Sequence, residues 1–557
     1  MTKKPLDDIQ AAESLRSTHQ AAWNRYVKLY MGERVNVIYK GDHNPFVMET
    51  HTIVESLVAH IAGGEAEIDF MPTNPEQRGD TKIMAELINY WLEQNDFEVT
   101  EQLGVRGSII KGNAYWYAEW DPVKKCPIIR LIEVDDILID PTSTSITNAD
   151  FVGHTYLTSK SALKEAKAYD KDGKLVNKYN KVDEIGTFDI KKLNPQVRKK
   201  LESSTLGAQA MNEQVVMQVL YYTDGRIIEV ANGKKVIREA DSPYQREEKT
   251  ELIDAFDESG PIKVERKLPA IAPVLPYAEV RGFINPNTPF AHGEVSLIAD
   301  RQEHLNELEA QDLDNTGYIN NVMSRIDPQY ENYIDKIVSE PGFTAVLPRG
   351  AFEWLDRPIP NIDLDNKKRE IKDEMRRVTG ADEIVQGVSN ERSRVTATEI
   401  GTQLEQSAKR FQMRIDNLEN EGFRQLTRVL LRFAQLFVTE EMMVRIIGPE
   451  GVEFKNFNPA EYEGDFEPVV KLRTSVERQK REMDNRMQPA WELILADPQV
   501  DRIQAMKMFL KERGFEEENI KLLLGGNNAQ GITGNQGGLQ VPGEQPIPQG
   551  PAPLLGA

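Results

Sequence analysis

The sequence predicts an α+β fold, and three observations carry that prediction. In the first half, short β-rich runs bounded by turn residues alternate with amphipathic helical stretches. From Gly293 to Glu440 the order changes to a long polar helix, a two-strand excursion, a basic helix, a glycine-punctuated loop and one very long amphipathic helix. Beyond it, short strands come back before a last helical region.

Taken in order, Leu6 to Met31 reads as a helix whose Trp23, Tyr26 and Tyr30 recur at helical spacing as packing residues. A second helix near Thr52 to Ile61 leads to a strand at Ala66 to Met71, and two further helices run to about Lys111. Ala114 to Trp120 and Pro127 to Ile132, separated by Asp121-Pro122, read as an antiparallel pair. From Lys160 to Asn212 lysines accumulate, with Lys191, Lys192, Arg198, Lys199 and Lys200 around Pro195, which predicts a solvated surface insertion. Gln214 to Thr223, Arg226 to Val230 and Lys235 to Arg238 then form a meander with turns at Asp224-Gly225 and Asn232-Gly233.

The polar helix opens at Gly293-Glu294-Val295-Ser296 and carries Asn306, Asp312, Asp314, Asn315, Asn320 and Asn321. Its thin apolar stripe is Leu297, Leu305, Leu308, Ile319 and Val322. Such a helix is expected to be excluded from a monomer's core and to lie between shallow neighbours in a ring of repeated subunits. The basic helix carries Lys367, Lys368, Arg369, Lys372, Arg376 and Arg377. The last helix starts at a capping box, Thr396-Ala397-Thr398-Glu399, and its stripe runs through Ile400, Leu404, Phe411, Ile415, Leu418, Phe423, Leu426, Leu430, Phe433 and Phe437. Its length is about 60 Å at helical rise. Met443 to Ile447 and Val469 to Arg473 are expected to rejoin the mixed region. Two helices, Val476 to Ala496 and Asp501 to Leu524, break at Asp497-Pro498, and the Gly-, Pro-, Gln- and Asn-rich end from Gly525 to Ala557 predicts disorder.

Composition narrows the functional classes. A chain of 557 residues with 39% hydrophobic and 28% charged residues is expected to be a soluble protein of several domains or of one domain with long protrusions. The single cysteine, Cys126, excludes a disulfide within the chain and predicts a reducing compartment. No apolar stretch reaches membrane-spanning length, and the first residues lack the apolar core of a secretory signal. A net charge of −21 argues against wrapping nucleic acid non-specifically, but suits a passage that repels a sliding duplex.

Catalytic patterns are missing. Asn232-Gly233-Lys234-Lys235 lacks the hydroxyl and glycine spacing of a phosphate loop, and Asp170-Lys171-Asp172-Gly173 lacks the glutamate of a calcium loop. Gly387 to Glu391 lacks the last glycine of a nucleophile elbow. His51 and His60, and His292 and His304, are too far apart for helical zinc ligation. Asp135, Asp136 and Asp140 form an acidic cluster that suits a turn or subunit contact beside Pro141, with magnesium-dependent nuclease chemistry as the minor alternative. The expectation is a non-enzymatic protein with no metal and no cofactor.

The order of elements resembles the portal proteins of tailed bacteriophages, the head-to-tail connectors, in their podovirus-type branch. The resemblance is carried by Gly293-Glu294-Val295-Ser296, Arg301-Gln302-Glu303-His304-Leu305-Asn306 and Asp314-Asn315, then by Thr379-Gly380-Ala381-Asp382-Glu383, Gly387 and Thr396 to Ile400. It implies a portal-like subunit with a mixed wing (1–292), stem helices (293–325 and 363–378), a small β-containing clip (326–362) and a tunnel loop (379–395). A long core helix (396–440), wing return strands (441–475), a helical crown (476–525) and a disordered tail (526–557) complete it. The implied assembly is a closed ring of about twelve identical subunits at one capsid vertex, formed in the host cytoplasm and kept in the virion. It would conduct double-stranded DNA during packaging and ejection, and would contact the large terminase, a tail adaptor, and the major capsid and scaffold proteins, with no membrane. Within it, Arg392 and Arg394 would face phosphates or pair with carboxylates such as Glu391. The basic helix would pair with the polar helix of the adjacent subunit, or line the bore. The clip strands Phe343 to Leu347 and Ala351 to Leu355 around Arg349-Gly350 would present Phe343, Arg349, Phe352 and Trp354 for docking. A different class, an elongated scaffold or adaptor without a DNA channel, uses the same long helices.

Overall fold

In the computed structural model the chain divides into two compact units, Met1–Glu477 and Arg478–Ala557. The structure describes residues 5–62, 66–72, 81–169, 175–179, 182–186, 214–257, 260–320, 324–336, 348–354, 363–381, 413–438, 442–448, 451–457, 462 and 466–472, all in the first unit. The fold is α+β.

Helix α1 (Pro5–Tyr30) starts on a proline, whose fixed φ suits a first helical turn, with Asp7 and Asp8 beside it and Lys28 in the last turn. Trp23 is buried and packs edge-on against Phe290, while the Tyr30 hydroxyl donates to Glu55, so the aromatics of α1 do serve packing. Helix α2 (Glu49–Ile61) buries Ile53, Val54, Leu57, Val58 and Ile61 on one face. Strand β1 (Ala66–Pro72) and helices α3 (Thr81–Gln94) and α4 (Phe97–Lys111) follow. Strands β2 (Asn113–Asp121) and β3 (Cys126–Glu133) pair antiparallel, as their sequence predicts.

Residues Ala114 to Ala118 of β2 are all buried, because β2 is the middle strand of its sheet and helices cover its faces. Trp116 is sealed between Phe97 and Phe423, at 4.9 and 5.2 Å between ring centroids, and Trp120 stacks on Phe437 at 5.0 Å. These pairs join the first half of the chain to its long helix in one core.

A second sheet uses β4 (Ile137–Ile139) and β5 (Phe151–Ser159), then, after α5 (Lys160–Glu165), β6 (Lys167–Tyr169) and β7 (Leu175–Asn177), β8 (Gln214–Tyr222), β9 (Arg226–Ala231) and β10 (Lys235–Asp241). Its antiparallel order is β10-β9-β8-β5-β4. The β9–β10 turn has Asn232 at φ 53° and Gly233 at φ 65°, both left-handed, the conformation that makes Asn-Gly a hairpin signal. The segment read as a solvated insertion is partly structural. Leu163, Tyr179, Val182 and Ile185 bury against Val215 and Met217, while the basic residues 191–200 lie outside the described residues.

Local reading missed the hairpin β11 (Lys249–Asp257) and β12 (Gly260–Leu268), and also β13 (Tyr277–Arg281), which pairs with β2. Helix α6 (Glu294–Asn320) is the polar helix. Strand β14 (Ser324–Ile326) pairs with β15 (Phe352–Trp354), and the expected clip strand 343–347 lies outside the described residues. Helix α7 (Leu364–Thr379) is capped by Asp363, whose carboxylate accepts from Asn366 N at 3.0 Å, and ends at Gly380 with φ 78°. The long helix is described from residue 413 and is not α-helical throughout: a π-helical turn, Leu418–Phe423, precedes α8 (Arg424–Phe437). Strands β16 (Met442–Gly448) and β17 (Gly451–Phe457) form a hairpin, and β18 (Phe466–Leu472) returns to pair with β1.

One buried group conflicts with its surroundings. Glu101 on α4 is 4% exposed and its Oε1 finds no hydrogen-bond partner among the described residues. Burial, with a smaller contribution from Glu98, pushes its pKa from 4.5 up to about 8. The folded state therefore holds a proton that the unfolded chain releases, so stability falls as pH rises between about 4.5 and 8, by up to about 1.4 kcal/mol per pH unit. Glu101→Gln is expected to exceed the parent in urea midpoint by a margin that grows from pH 5 to pH 8. An unchanged margin would show that this carboxyl does not govern the dependence.

Candidate functional site

Part of the polar face of α6 is buried within its own chain: Gln302, Asn306 and Asp314 are covered there, so a helix of this polarity is not excluded from a monomer's core, while Leu297 and Ile319 of its apolar stripe stay exposed. The segment between α1 and α2, together with the first turn of α2, lies along it and supplies the hydrogen bonds. Gln302, 0% exposed, accepts from Thr50 N at 2.9 Å and Thr50 Oγ1 at 2.8 Å, and donates to the Val47 carbonyl at 2.6 Å. Asn306 accepts from Val47 N at 3.0 Å. The Glu307 carboxylate accepts from Ile38 N, Tyr39 N and the Arg34 guanidinium at 3.1, 2.7 and 3.0 Å. Asp314 accepts from the Tyr39 hydroxyl at 2.7 Å and from His43 N at 3.1 Å, and these partners hold its carboxyl below the ordinary value. A strand-free connection leaves its amides without ladder partners, and the side chains of α6 satisfy them.

The other long contact of α6 is with α7, and it is antiparallel: Arg301 meets Glu374 at 2.8 Å, while Lys368 meets Glu309 at 3.1 Å and Asp312 at 2.7 Å. Burial draws the Lys368 pKa down, but the hydrogen bonds it donates to Asp312 and Glu309 outweigh that and keep the ammonium above its ordinary value. Arg376 pairs with Glu49 of α2 at 2.8 Å. Lys368 and Arg376 are thus engaged within one chain, where the sequence reading favoured an adjacent subunit. Lys367 and Arg369 are exposed and Lys372 is half-buried, and their side chains make no ion pair among the described residues. Arg377 is exposed near Glu374.

Arg349 is exposed in the turn before β15. Phe352 and Trp354 take part in the β14–β15 ladder through their backbones. Arg392, Arg394 and Phe343, like the capping box at Thr396, lie outside the described residues. The aspartates considered for magnesium are occupied otherwise. Asp135 is buried against Lys111 and accepts from Gln20 at 2.6 Å, and Asp140 folds a turn by accepting from Thr142 N at 2.9 Å and Asp150 N at 3.3 Å. Among the described residues no group of three or more His, Cys, Asp or Glu side chains has metal-binding geometry.

The start of α6 is fixed by three glycines, Gly293 that opens the polar helix and two not singled out from the sequence, Gly112 and Gly282. Gly112 ends α4 at φ 100°, and a Cβ there would lie 2.0 Å from the Ala291 carbonyl oxygen. A Cβ on Gly282 would lie 2.3 Å from the His292 oxygen, and one on Gly293 2.4 Å from the Ile109 oxygen. Gly282 N donates to Gly112 O at 2.7 Å, and Phe283 and His292 exchange both backbone hydrogen bonds. Beside this crossing Arg414 reaches Glu294, the first residue of α6, at 2.9 Å, and donates to the Arg281 carbonyl at 2.6 Å. The clue in the sequence was the glycine at each of these element ends.

No curated protein matches the chain. Among solved structures, a chain of the "Virion of native gene transfer agent (GTA) particle" is 10% identical, with 89% of this chain and 98% of that chain covered at a TM-score of 0.36. A chain of the "Neck of empty GTA particle computed with C6 symmetry" is also 10% identical, with 83% and 90% covered at a TM-score of 0.37. Likenesses at this level carry no functional argument. The family described as Phage SU10 portal protein matches residues 269–511, a stretch that holds β13, Gly282 and Gly293 of the glycine crossing, α6, α7 and α8. Over that stretch, less than half of the chain, the sequence is similar to phage portal proteins.

Proposed function

We propose that the chain is a portal subunit that assembles into a ring at one capsid vertex of a tailed phage, and that its role is structural rather than enzymatic. The observation that carries this reading is the portal-family match across residues 269–511. The ring has about twelve members, gives double-stranded DNA its way in and out, and receives the large terminase and later the tail adaptor. The major capsid and scaffold proteins surround it. Lys367, Arg369 and Lys372 supply basic groups that α6 does not consume, available to phosphates or to a neighbouring subunit. No helix among the described residues is long and apolar enough to cross a membrane.

Negative-stain images of the purified chain, with native mass measured in parallel, test the reading. Perforated rings with a mass of about twelve chains are expected. Particles that stay monomeric or dimeric under all assembly conditions, scaffold protein included, would refute it.

A further inference from the structure

The π-turn Leu418–Phe423 places one residue more in the long helix than an α-helix of the same span holds, with Arg424 N donating to the Glu419 carbonyl five residues back. The two sides of this turn are held by different partners. On its far side Phe423 is seated against Trp116 and Phe97, at 5.2 and 5.7 Å between centroids, and Gln425 accepts from Glu279 N at 3.1 Å. A Cβ on Gly422 would lie 3.0 Å from the Trp116 ring, so this part is closely packed. Glu421 is clamped by both ends of the Arg281 guanidinium, at 2.8 and 2.5 Å. On the near side Arg414, 7% exposed, bonds Glu294 and the Arg281 carbonyl, beside Ile415 and Leu418, which are buried in the core. A small cavity beside it is lined by Ile61, Val105, Ser108, Val280, Arg281, Arg414 and Leu418.

We propose that the π-turn is a register device that couples the first residue of α6 to the long helix. When Arg414 lets go of Glu294, the extra residue passes toward the N-terminal side. The stretch 413–417 then turns by about 100° and advances about 1.5 Å, so that Ile415 takes the place of Arg414 while Phe423 stays seated. The Arg414–Glu294 pair sets which register holds, and a displacement of α6 at Glu294 is therefore transmitted along the long helix. The device belongs to the single chain and does not depend on the ring.

Deleting Asn420, an exposed residue whose side chain bonds the Asp416 carbonyl alone among the described residues, removes the extra residue and makes 413–437 α-helical with both anchors in place. Hydrogen exchange of the full chain, read by mass spectrometry, is the test. In the parent, Glu294→Gln is expected to speed exchange across 413–423 by about tenfold or more while 424–437 is unchanged. In the Asn420 deletion the same substitution is expected to leave 413–423 protected. Equal acceleration in both backgrounds means fraying rather than a change of register, and overturns the proposal. Should the deletion not fold, Glu294→Gln in the parent decides alone: no acceleration at 413–423 overturns it.

Discussion

Replacing Gly112 by alanine is expected to abolish accumulation of soluble, folded chain. The residue sits at φ 100°, where an L side chain costs about 1–2 kcal/mol before any contact is counted. Its Cβ would then lie 2.0 Å from the Ala291 oxygen, a backbone atom that cannot swing aside. Relief would require parting the 112–282 and 283–292 backbone hydrogen bonds, on which the launch of α6 depends. A loss of at least about 4 kcal/mol is expected, a large share of a typical domain's stability. Gly186→Ala is the control, since nothing among the described residues lies within 4 Å of its Cβ position, and it should express as the parent does. Soluble Gly112→Ala with an unchanged melting temperature would mean that the three-glycine crossing does not set the fold.

Gln302→Leu is expected to cost about 3–5 kcal/mol, although it replaces a polar side chain by an apolar one of similar size in a buried position. The substitution strands Thr50 N, Thr50 Oγ1 and the Val47 carbonyl, all of which use Gln302 alone or mainly. Each buried group left unsatisfied carries a desolvation penalty of about 1–3 kcal/mol. The exposed ion pair on the same helix sets the contrast. Asp300 is 82% exposed in its side chain and pairs with Arg25, so Asp300→Ala should cost at most about 1 kcal/mol. Limited proteolysis gives a second readout, because residues 32–48 should become the first cleavage site in Gln302→Leu. If the two variants unfold at the same urea concentration, the polar face of α6 is not what fastens that connection.

Much of the architecture was legible locally. The β2–β3 pair, the Asn232-Gly233 turn and the Asp363-to-Gly380 helix follow from residue types whose preferences act over a few positions. The β11–β12 hairpin was missed because charged residues interrupt its apolar runs, and β13 because it is a five-residue strand recruited by β2 from far along the chain. The π-turn had a faint mark in the sequence. The apolar stripe steps by five from Leu418 to Phe423, where an α-helix repeats at three or four.

By itself, the sequence determined the α+β class, the succession of a polar helix, a basic helix and a long apolar-striped helix, and through that succession the resemblance to portal proteins. Only the tertiary structure decided that Gln302, Asn306 and Asp314 of the polar helix are buried hydrogen-bonding groups and that Lys368 and Arg376 find their partners at home. The reason is one of distance along the chain. Periodicity reports which face of a helix is apolar, but a buried amide is recognised by its partner, and Thr50 and Gln302 are 252 residues apart. Whether a polar face meets water, a neighbouring subunit or its own chain is settled when the backbone brings such groups together.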